Sequence, residues 1–206
     1  MDLRVRELSD HLVAKWTSPT GVALMAAGAT LVGGLLDRGA LSPAAAGALL
    51  GWPAAEVLDR FRDMRFDLET DPSGDIIGAG VSLNADRPHA MELQGVRRYG
   101  WCAMDVLMFP VVFKETASRV TSRCAATGAP VSLTVTPDGV RDLSPVTAVV
   151  TLAPATGADI REVFCDRVNF YATPELARRA ADADHDLAVC PVDDAWAIGK
   201  RLADLF

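Results

Sequence analysis

The sequence lacks the short motifs that most often identify a chemistry. None of its four cysteines stands in a C-x-x-C pair, which excludes zinc ribbons and thioredoxin-type redox motifs. It contains no G-x-x-x-x-G-K-[ST] phosphate loop, no H-E-x-x-H zinc motif and no G-x-S-x-G nucleophile elbow. Cysteine is also too sparse for a disulfide-stapled secreted domain. The cysteines are therefore either inert core residues or parts of a site that only folding assembles.

Positive charge is also in short supply. The chain has 20 Lys and Arg residues against 27 Asp and Glu residues, a net charge of −7 at neutral pH. Phosphate attraction supplies most non-specific affinity for nucleic acids, and membrane surfaces are anionic, so neither is an expected partner. Half of the 206 residues are hydrophobic and 23% are charged, which predicts a folded chain with a substantial buried core.

No apolar run has the length of a membrane-spanning helix. The most apolar run, residues 22–36, has about fifteen residues, whereas a spanning helix needs about 20. A secretory signal would place basic residues directly before its apolar core. Here the polar stretch 7–10 and a turn-like segment 18–21 come first. We predict a buried helix and a cytoplasmic protein.

The first 85 residues predict short helices followed by a hairpin. Ser42-Pro43 is a capping residue followed by proline at the first helical position, and residues 71–75 (DPSGD) form a turn between two strand-like segments. This order is typical of a winged-helix-like unit. Acidic residues balance the arginines over residues 41–66, and DNA-recognition elements usually gather positive charge. We therefore favour a structural or lid role over DNA binding.

A polar stretch at residues 84–95 suggests a boundary, which divides the chain into domains 1–85 and 86–206. Beyond it strands and helices alternate irregularly, which favours an α+β core over a doubly wound sheet. We predict a helix from near Trp101 and then a hairpin of strands 119–124 and 131–136. A strand at 147–152 and two helices, at 174–183 and 193–205, follow. The three histidines, His11, His89 and His185, lack patterned partners, and we predict surface or capping roles for them.

The segment RYGWCAMDVL, residues 98–107, is the most informative. A helix that begins near Trp101 places Cys102 in its first turn, where the partial positive charge favours a thiolate. Asp105 lies three residues later on the same helical face. A thiolate beside a carboxyl group combines a nucleophile with a proton carrier. A small buried cysteine and a turn-capping aspartate explain the same spacing, so both interpretations stay open at this point.

The same segment resembles the active-site segment of the organomercurial lyase (alkylmercury lyase) family. Further segments resemble that family in the same order: SRCAATGAPVSLTV at 122–135, DIREVFC at 159–165 and VNFY at 168–171. The front end is similar too, with LLGWPA at 49–54 and GDIIG at 74–78. The resemblance therefore covers roughly residues 40–200 and includes three cysteine segments.

The resemblance implies protonolysis of a carbon–mercury bond, which gives a hydrocarbon and Hg(II), in mercury resistance and detoxification. On the matched positions Cys102 and Cys165 would bind mercury as thiolates, Asp105 would carry the proton, and Cys124 would be structural. The family fold implies a winged-helix-like N-terminal domain and an α+β core with small, mostly antiparallel sheets. No bound cofactor is expected. Cytosolic thiols or a mercuric reductase would accept the Hg(II), and the chain would be a monomer or homodimer.

The chemistry of the residues agrees with that implication. Mercury is a soft cation that prefers thiolate ligands, and a carbanion leaves only if an acid protonates it. Asp105 can hold that proton near neutral pH only if burial raises its pKa. Four aromatic residues near the cysteines could form apolar walls for the organic group, although aromatic residues beside a helix more often simply pack in the core: Tyr99, Trp101, Phe109 and Phe164.

Two positions depart from the family pattern. Asp166 follows Cys165 where some relatives have a second cysteine, so nothing duplicates Cys165 there. Cys190 matches no family cysteine, and its strand-like context favours a buried structural residue over a third ligand.

Two other functions fit parts of the pattern. A non-catalytic carrier of Hg(II) or Cu(I) would use the same thiolates, but it would need no proton donor at Asp105. A winged-helix, metal-responsive regulator is disfavoured by the acidic charge balance. The lyase is therefore the preferred hypothesis.

Overall fold

Four helices open the chain, and capping residues determine where two of them begin. The computed structural model describes residues 2–157 and 159–205. Ser18 and Ser42 each accept a hydrogen bond from a backbone N–H three residues later, at 3.1 and 3.2 Å, and a proline follows each serine. The predicted cap at Ser42 is confirmed. The helices are α1 (Leu3–Thr17), α2 (Pro19–Arg38), α3 (Pro43–Leu50) and α4 (Val57–Asp63), the last preceded by a 3₁₀ turn, Ala54–Glu56.

Helix α2 is longer than the predicted apolar run. The turn expected at residues 18–21 is wrong, because Ser18 caps the helix and the three residues after it form its first turn. The resulting 20-residue helix is long and apolar enough to cross a membrane by length and composition alone. Half of its most apolar window is buried inside the protein, as expected for a core helix.

The main sheet has eight antiparallel strands in the order β1-β2-β3-β5-β4-β6-β7-β8. The hairpins around residues 71–75 and 127–130 are confirmed. A third hairpin was not predicted: the polar stretch 84–95 includes β4, which turns into β5 through Gln94 and Gly95, both at positive φ. The strands are β1 (Glu69–Thr70), β2 (Ile76–Ala79), β3 (Val81–Ser82), β4 (His89–Leu93), β5 (Val96–Gly100), β6 (Ser118–Arg123), β7 (Pro130–Thr136) and β8 (Gly139–Ser144).

A second, three-stranded antiparallel sheet and four helices complete the fold. Its strands lie in the order β10 (Phe170–Tyr171), β9 (Val149–Leu152), β11 (Ala188–Pro191). Helix α5 (Ala103–Val112) packs against β4, β5 and β7 on one side and against α8 (Val192–Ala203) on the other. The remaining helices are α6 (Ile160–Val163), followed by a 3₁₀ turn at Cys165–Arg167, and α7 (Pro174–Ala183). The α+β class is confirmed.

The main sheet continues across residue 85. Strand β3 pairs with β5, with Val81 opposite Gly100, and one hydrophobic cluster contains buried residues from both sides of this position. The division into domains 1–85 and 86–206 stays a prediction, as does the winged-helix character of the first part. The sheet and the hydrophobic core therefore join residues on both sides of position 85.

Candidate active site

Cys102 and Asp105 form a reciprocal cap at the start of α5. Strand β5 ends at Gly100, and Cys102 has the extended backbone of an N-cap residue. The Cys102 N–H donates to Asp105 Oδ2 at 2.8 Å, and the Asp105 N–H points to the Cys102 sulfur. This is a capping box in which cysteine replaces the usual serine or threonine. The capping role that the spacing allowed is therefore real, and the same contacts fix both side chains for chemistry.

Folding brings Cys165 to this pair. The 3₁₀ turn of Cys165 is joined to α5 by the Ala103 N–H, which donates to the Val168 carbonyl oxygen at 2.9 Å. The sulfurs of Cys102 and Cys165 and a carboxylate oxygen of Asp105 all lie within 4.8 Å of one another, and all three residues are buried. The structure therefore places the three predicted site residues in one cluster.

Burial controls the protonation of this cluster. It raises the pKa of Asp105 to about 7 and raises the pKa of Cys102 well above its ordinary value. A hydrogen bond with Cys102 lowers the pKa of Cys165, but burial and the neighbouring carboxylates outweigh it and raise the pKa overall. The expectation that the helix N-terminus favours a Cys102 thiolate is wrong, because desolvation dominates. These shifts favour the thiol form of Cys102 and Cys165 in the free protein, and they place the pKa of Asp105 near neutrality.

His89 supports the turn that carries Cys165. It is 1% exposed and hydrogen-bonds with Ser122 Oγ at 2.8 Å and with Asn169 Oδ1 at 3.3 Å. The Asn169 side-chain amide in turn donates to the Asp166 carbonyl oxygen at 3.0 Å, inside the turn. Burial lowers the pKa of His89 to about 4, so the ring is neutral. The surface role predicted for His89 is wrong, because its polar stretch contains β4.

The other two histidines behave as expected. His11 and His185 are both exposed, the first on α1 and the second in the turn between α7 and β11. The surface prediction for these two residues is confirmed.

Trp101 is anchored by a buried carboxylate that no sequence pattern indicates. Its indole N–H donates to Glu69 Oε2 at 2.8 Å, and Glu69 also pairs with Arg87 at 3.1 Å. The Arg161 guanidinium lies over the indole ring, 5.0 Å from its centre. These partners come from β1, the loop before β4 and α6, and no local motif connects them. Together they fix the residue that precedes Cys102.

An apolar cavity of about 70 Å³ borders the cluster. Asp105 and Cys165 reach it, and Asp105 is the one charged group among the described residues that line it. Three of the four predicted wall residues line it, whereas Tyr99 lies outside, against Arg97. The apolar lining consists of Leu12, Trp16, Leu24, Met25, Gly28, Phe66, Ala79, Gly80, Trp101, Met104, Met108, Phe109, Ile160, Phe164 and Leu202.

The remaining two cysteines lie outside the cluster. All four cysteines are free thiols. Cys124 is buried after β6; burial opposes ionisation there, but hydrogen bonds from the Thr127 hydroxyl and nearby backbone N–H groups lower its pKa. Cys190 is fully buried in β11, where burial raises its pKa to about 12. The buried, strand-bound position predicted for Cys190 is confirmed.

Comparison with known proteins identifies a family that this chain matches. The family described as "MerB: Alkylmercury lyase" matches residues 84–204. An alkylmercury lyase of Pseudomonas putida is 39% identical over 175 residues, which is 84% of this chain and 81% of that protein. An alkylmercury lyase of Streptomyces lividans is 42% identical over 67% of this chain and 64% of that protein. An alkylmercury lyase of Staphylococcus epidermidis is 37% identical over 74% of this chain and 69% of that protein.

A solved structure shares the fold. It is described as the crystal structure of the mercury-bound form of MerB2, and it superposes with a TM-score of 0.75 over 99% of both chains. Its sequence identity to this chain is 18%, so it supports the architecture alone. The helices and antiparallel sheets of this chain are therefore arranged as in that solved structure.

Proposed function

The chain belongs to the alkylmercury lyase family, and we propose that Cys102, Asp105 and Cys165 together carry out its reaction. It is an enzyme that cleaves the carbon–mercury bond of an organomercurial, giving a hydrocarbon and Hg(II). The observation that carries the assignment of roles is the buried cluster of two sulfurs and one carboxyl group within 4.8 Å. Such a set contains two soft ligands for mercury and one proton carrier.

The two thiols load mercury in sequence. One thiol forms a sulfur–mercury bond with the substrate RHgX, and its proton leaves with X as HX. The second thiol then bonds to the same mercury atom and gives its proton to the Asp105 carboxylate. Electron donation from two sulfurs weakens the bond between mercury and carbon. Both steps take place between neighbouring groups, because the two sulfurs and a carboxylate oxygen of Asp105 lie within 4.8 Å of one another.

Asp105 completes the reaction. Its O–H delivers the proton to the substrate carbon as the carbon–mercury bond breaks, and the electron pair of that bond forms the new carbon–hydrogen bond. The products are RH and Hg(II) held by two thiolates, and Asp105 is again a carboxylate. A pKa of about 7 lets this group both accept and release a proton at neutral pH. The apolar cavity keeps water from competing at the carbon.

We further propose that the chain uses no resident cofactor and works in the cytoplasm as a monomer or homodimer. Four free thiols fit a reducing compartment. Free thiols or a mercuric reductase would take up the Hg(II) from the two cysteines. We also propose that residues 1–85 act as a cover for residues 86–206, because side chains of α1 and α2 line the cavity.

A panel of four serine variants tests the site. Phenylmercury is mixed with excess protein and free thiol, and benzene is measured by gas chromatography. We expect Cys102→Ser and Cys165→Ser to form benzene at least about 100-fold more slowly than wild type, because each loses a mercury ligand. Cys124→Ser and Cys190→Ser are the matched controls, since both remove buried thiols outside the cluster; their rates should match wild type once folding is confirmed by circular dichroism.

Two results would count against the proposal in different ways. Benzene formation at the wild-type rate by Cys102→Ser or Cys165→Ser would contradict the assignment of these residues to the site. Tight mercury binding by the wild type without any benzene would instead support the soft-metal carrier.

A further inference from the structure

Helix α2 contains four glycines, and packing explains only two of them. A glycine inside a helix costs about 0.5–1 kcal/mol relative to alanine, so each one calls for a reason. A Cβ on Gly21 would collide with the backbone of α1, and a Cβ on Gly34 would lie 2.6 Å from the Leu49 side chain. A Cβ on Gly28 or Gly33 would meet nothing within 4 Å. Close approach of neighbouring elements therefore does not account for these last two.

Gly28 differs from Gly33 in its position relative to the cavity. Gly28 lines the cavity together with Leu24 and Met25, which lie one helical turn before it on the same face of α2. Gly33 does not line it. The missing side chain at position 28 therefore enlarges the cavity that Cys165 and Asp105 border.

The chemistry of the reaction determines what that space holds. Mercury is bound by the two sulfurs, and the carbon attached to it must lie within reach of the Asp105 proton. The rest of the organic group then extends away from the cluster into the apolar cavity, where Asp105 is the one charged group among the described residues. An apolar group of limited size fits such a lining without leaving a polar group unpaired.

We propose that Gly28 is a specificity-determining residue, which leaves room for bulky organic groups such as aryl rings on the substrate mercury. The inference rests on the proposed function, because it assigns one part of the same cavity to the organic group. A cavity of about 70 Å³ has little spare volume, so a side chain at position 28 competes directly with the substrate. A methyl group close to mercury needs less of this space than a phenyl ring does.

The test compares two substrates in two leucine variants. We expect Gly28→Leu to lower kcat/KM for phenylmercury by at least about 10-fold and kcat/KM for methylmercury by less than about 3-fold, because a few methylenes in an apolar pocket discriminate at that level. Gly28→Ala should show the same direction with a smaller effect. Gly33→Leu is the matched control, because it adds the same side chain to open space on the same helix. Its kcat/KM for phenylmercury and its kcat/KM for methylmercury should both equal the wild-type values.

Thermal unfolding of each variant shows whether it folds. Leucine is a better helix former than glycine, so both leucine variants should melt at or above the wild-type temperature. An unchanged ratio of phenylmercury to methylmercury activity in folded Gly28→Leu and Gly28→Ala would overturn the role of Gly28 while leaving the lyase assignment intact. The absence of hydrocarbon from the wild type with either substrate would overturn the proposed function itself.

Discussion

At the scale of single residues, the site works because burial disfavours the charged forms of its side chains. Asp105 is buried beside two buried thiols, and desolvation raises its pKa to about 7. The same burial keeps both cysteines protonated until mercury replaces their protons. Sequence spacing predicted the pairing of Cys102 with Asp105, because both lie in one helical turn. It predicted the wrong protonation state for Cys102, because desolvation depends on the surrounding elements and not on the helix.

The raised pKa of Asp105 predicts that the protein loses stability as the pH rises. Asp105 has an ordinary pKa of 3.8 and a folded pKa of about 7, so between these values only the folded state holds the proton. The free energy of unfolding therefore falls as pH rises from about 4 to 7, by about 4 kcal/mol from this residue. Asp105→Asn keeps the acceptor for the Cys102 N–H and removes the titration. Urea unfolding of both proteins at pH 4.5 and pH 7.5 should show the variant gaining stability relative to wild type at the higher pH. A constant difference between the two proteins would show that Asp105 titrates normally.

At the scale of elements, capped helices and turn-linked hairpins were predictable, and one hairpin was not. Ser42-Pro43 and the turn residues 71–75 carry local signals strong enough to fix α3 and the first hairpin. Strand β4 begins at the end of a mostly polar stretch, 84–89, that has the pattern of a loop, although its own Ala90, Met91 and Leu93 are apolar. Its burial follows from pairing with β5 and β6, which no local signal encodes. His89 then connects the main sheet to Asn169 beside the second sheet.

A neutral histidine in this position predicts acid sensitivity. Burial lowers the pKa of His89 from 6.5 to about 4, with the nearby Arg87 adding to the effect and the Asn169 hydrogen bond opposing it. Between these pH values His89 is protonated in the unfolded chain and neutral in the folded chain. Stability from this residue is therefore complete above pH 6.5 and falls by about 3 kcal/mol as pH drops to 4. His89→Gln should be less stable than wild type at pH 7, with that gap narrowing towards pH 4.5 in urea unfolding. Parallel pH profiles for the two proteins would contradict this account.

At the scale of the whole molecule, the site exists only because distant segments meet. Cys102 follows β5, Cys165 follows α6, and the cavity beside them is closed partly by α1 and α2. Spacing within the sequence could not bring Cys165 to Cys102; only the family resemblance implied it. The supporting residues Glu69, Arg87 and His89 escaped prediction, because their roles arise from burial and pairing across the fold.

The most direct test separates mercury binding from bond cleavage at Asp105. Wild type and Asp105→Asn are each mixed with one equivalent of phenylmercury, and free thiols and benzene are measured over a single turnover. We predict that both proteins lose free thiols to mercury, and that benzene formation by the variant is slower by about 100-fold or more, as expected for loss of the proton carrier. Benzene formation at the wild-type rate in Asp105→Asn would contradict the central claim that this carboxyl group delivers the proton to carbon.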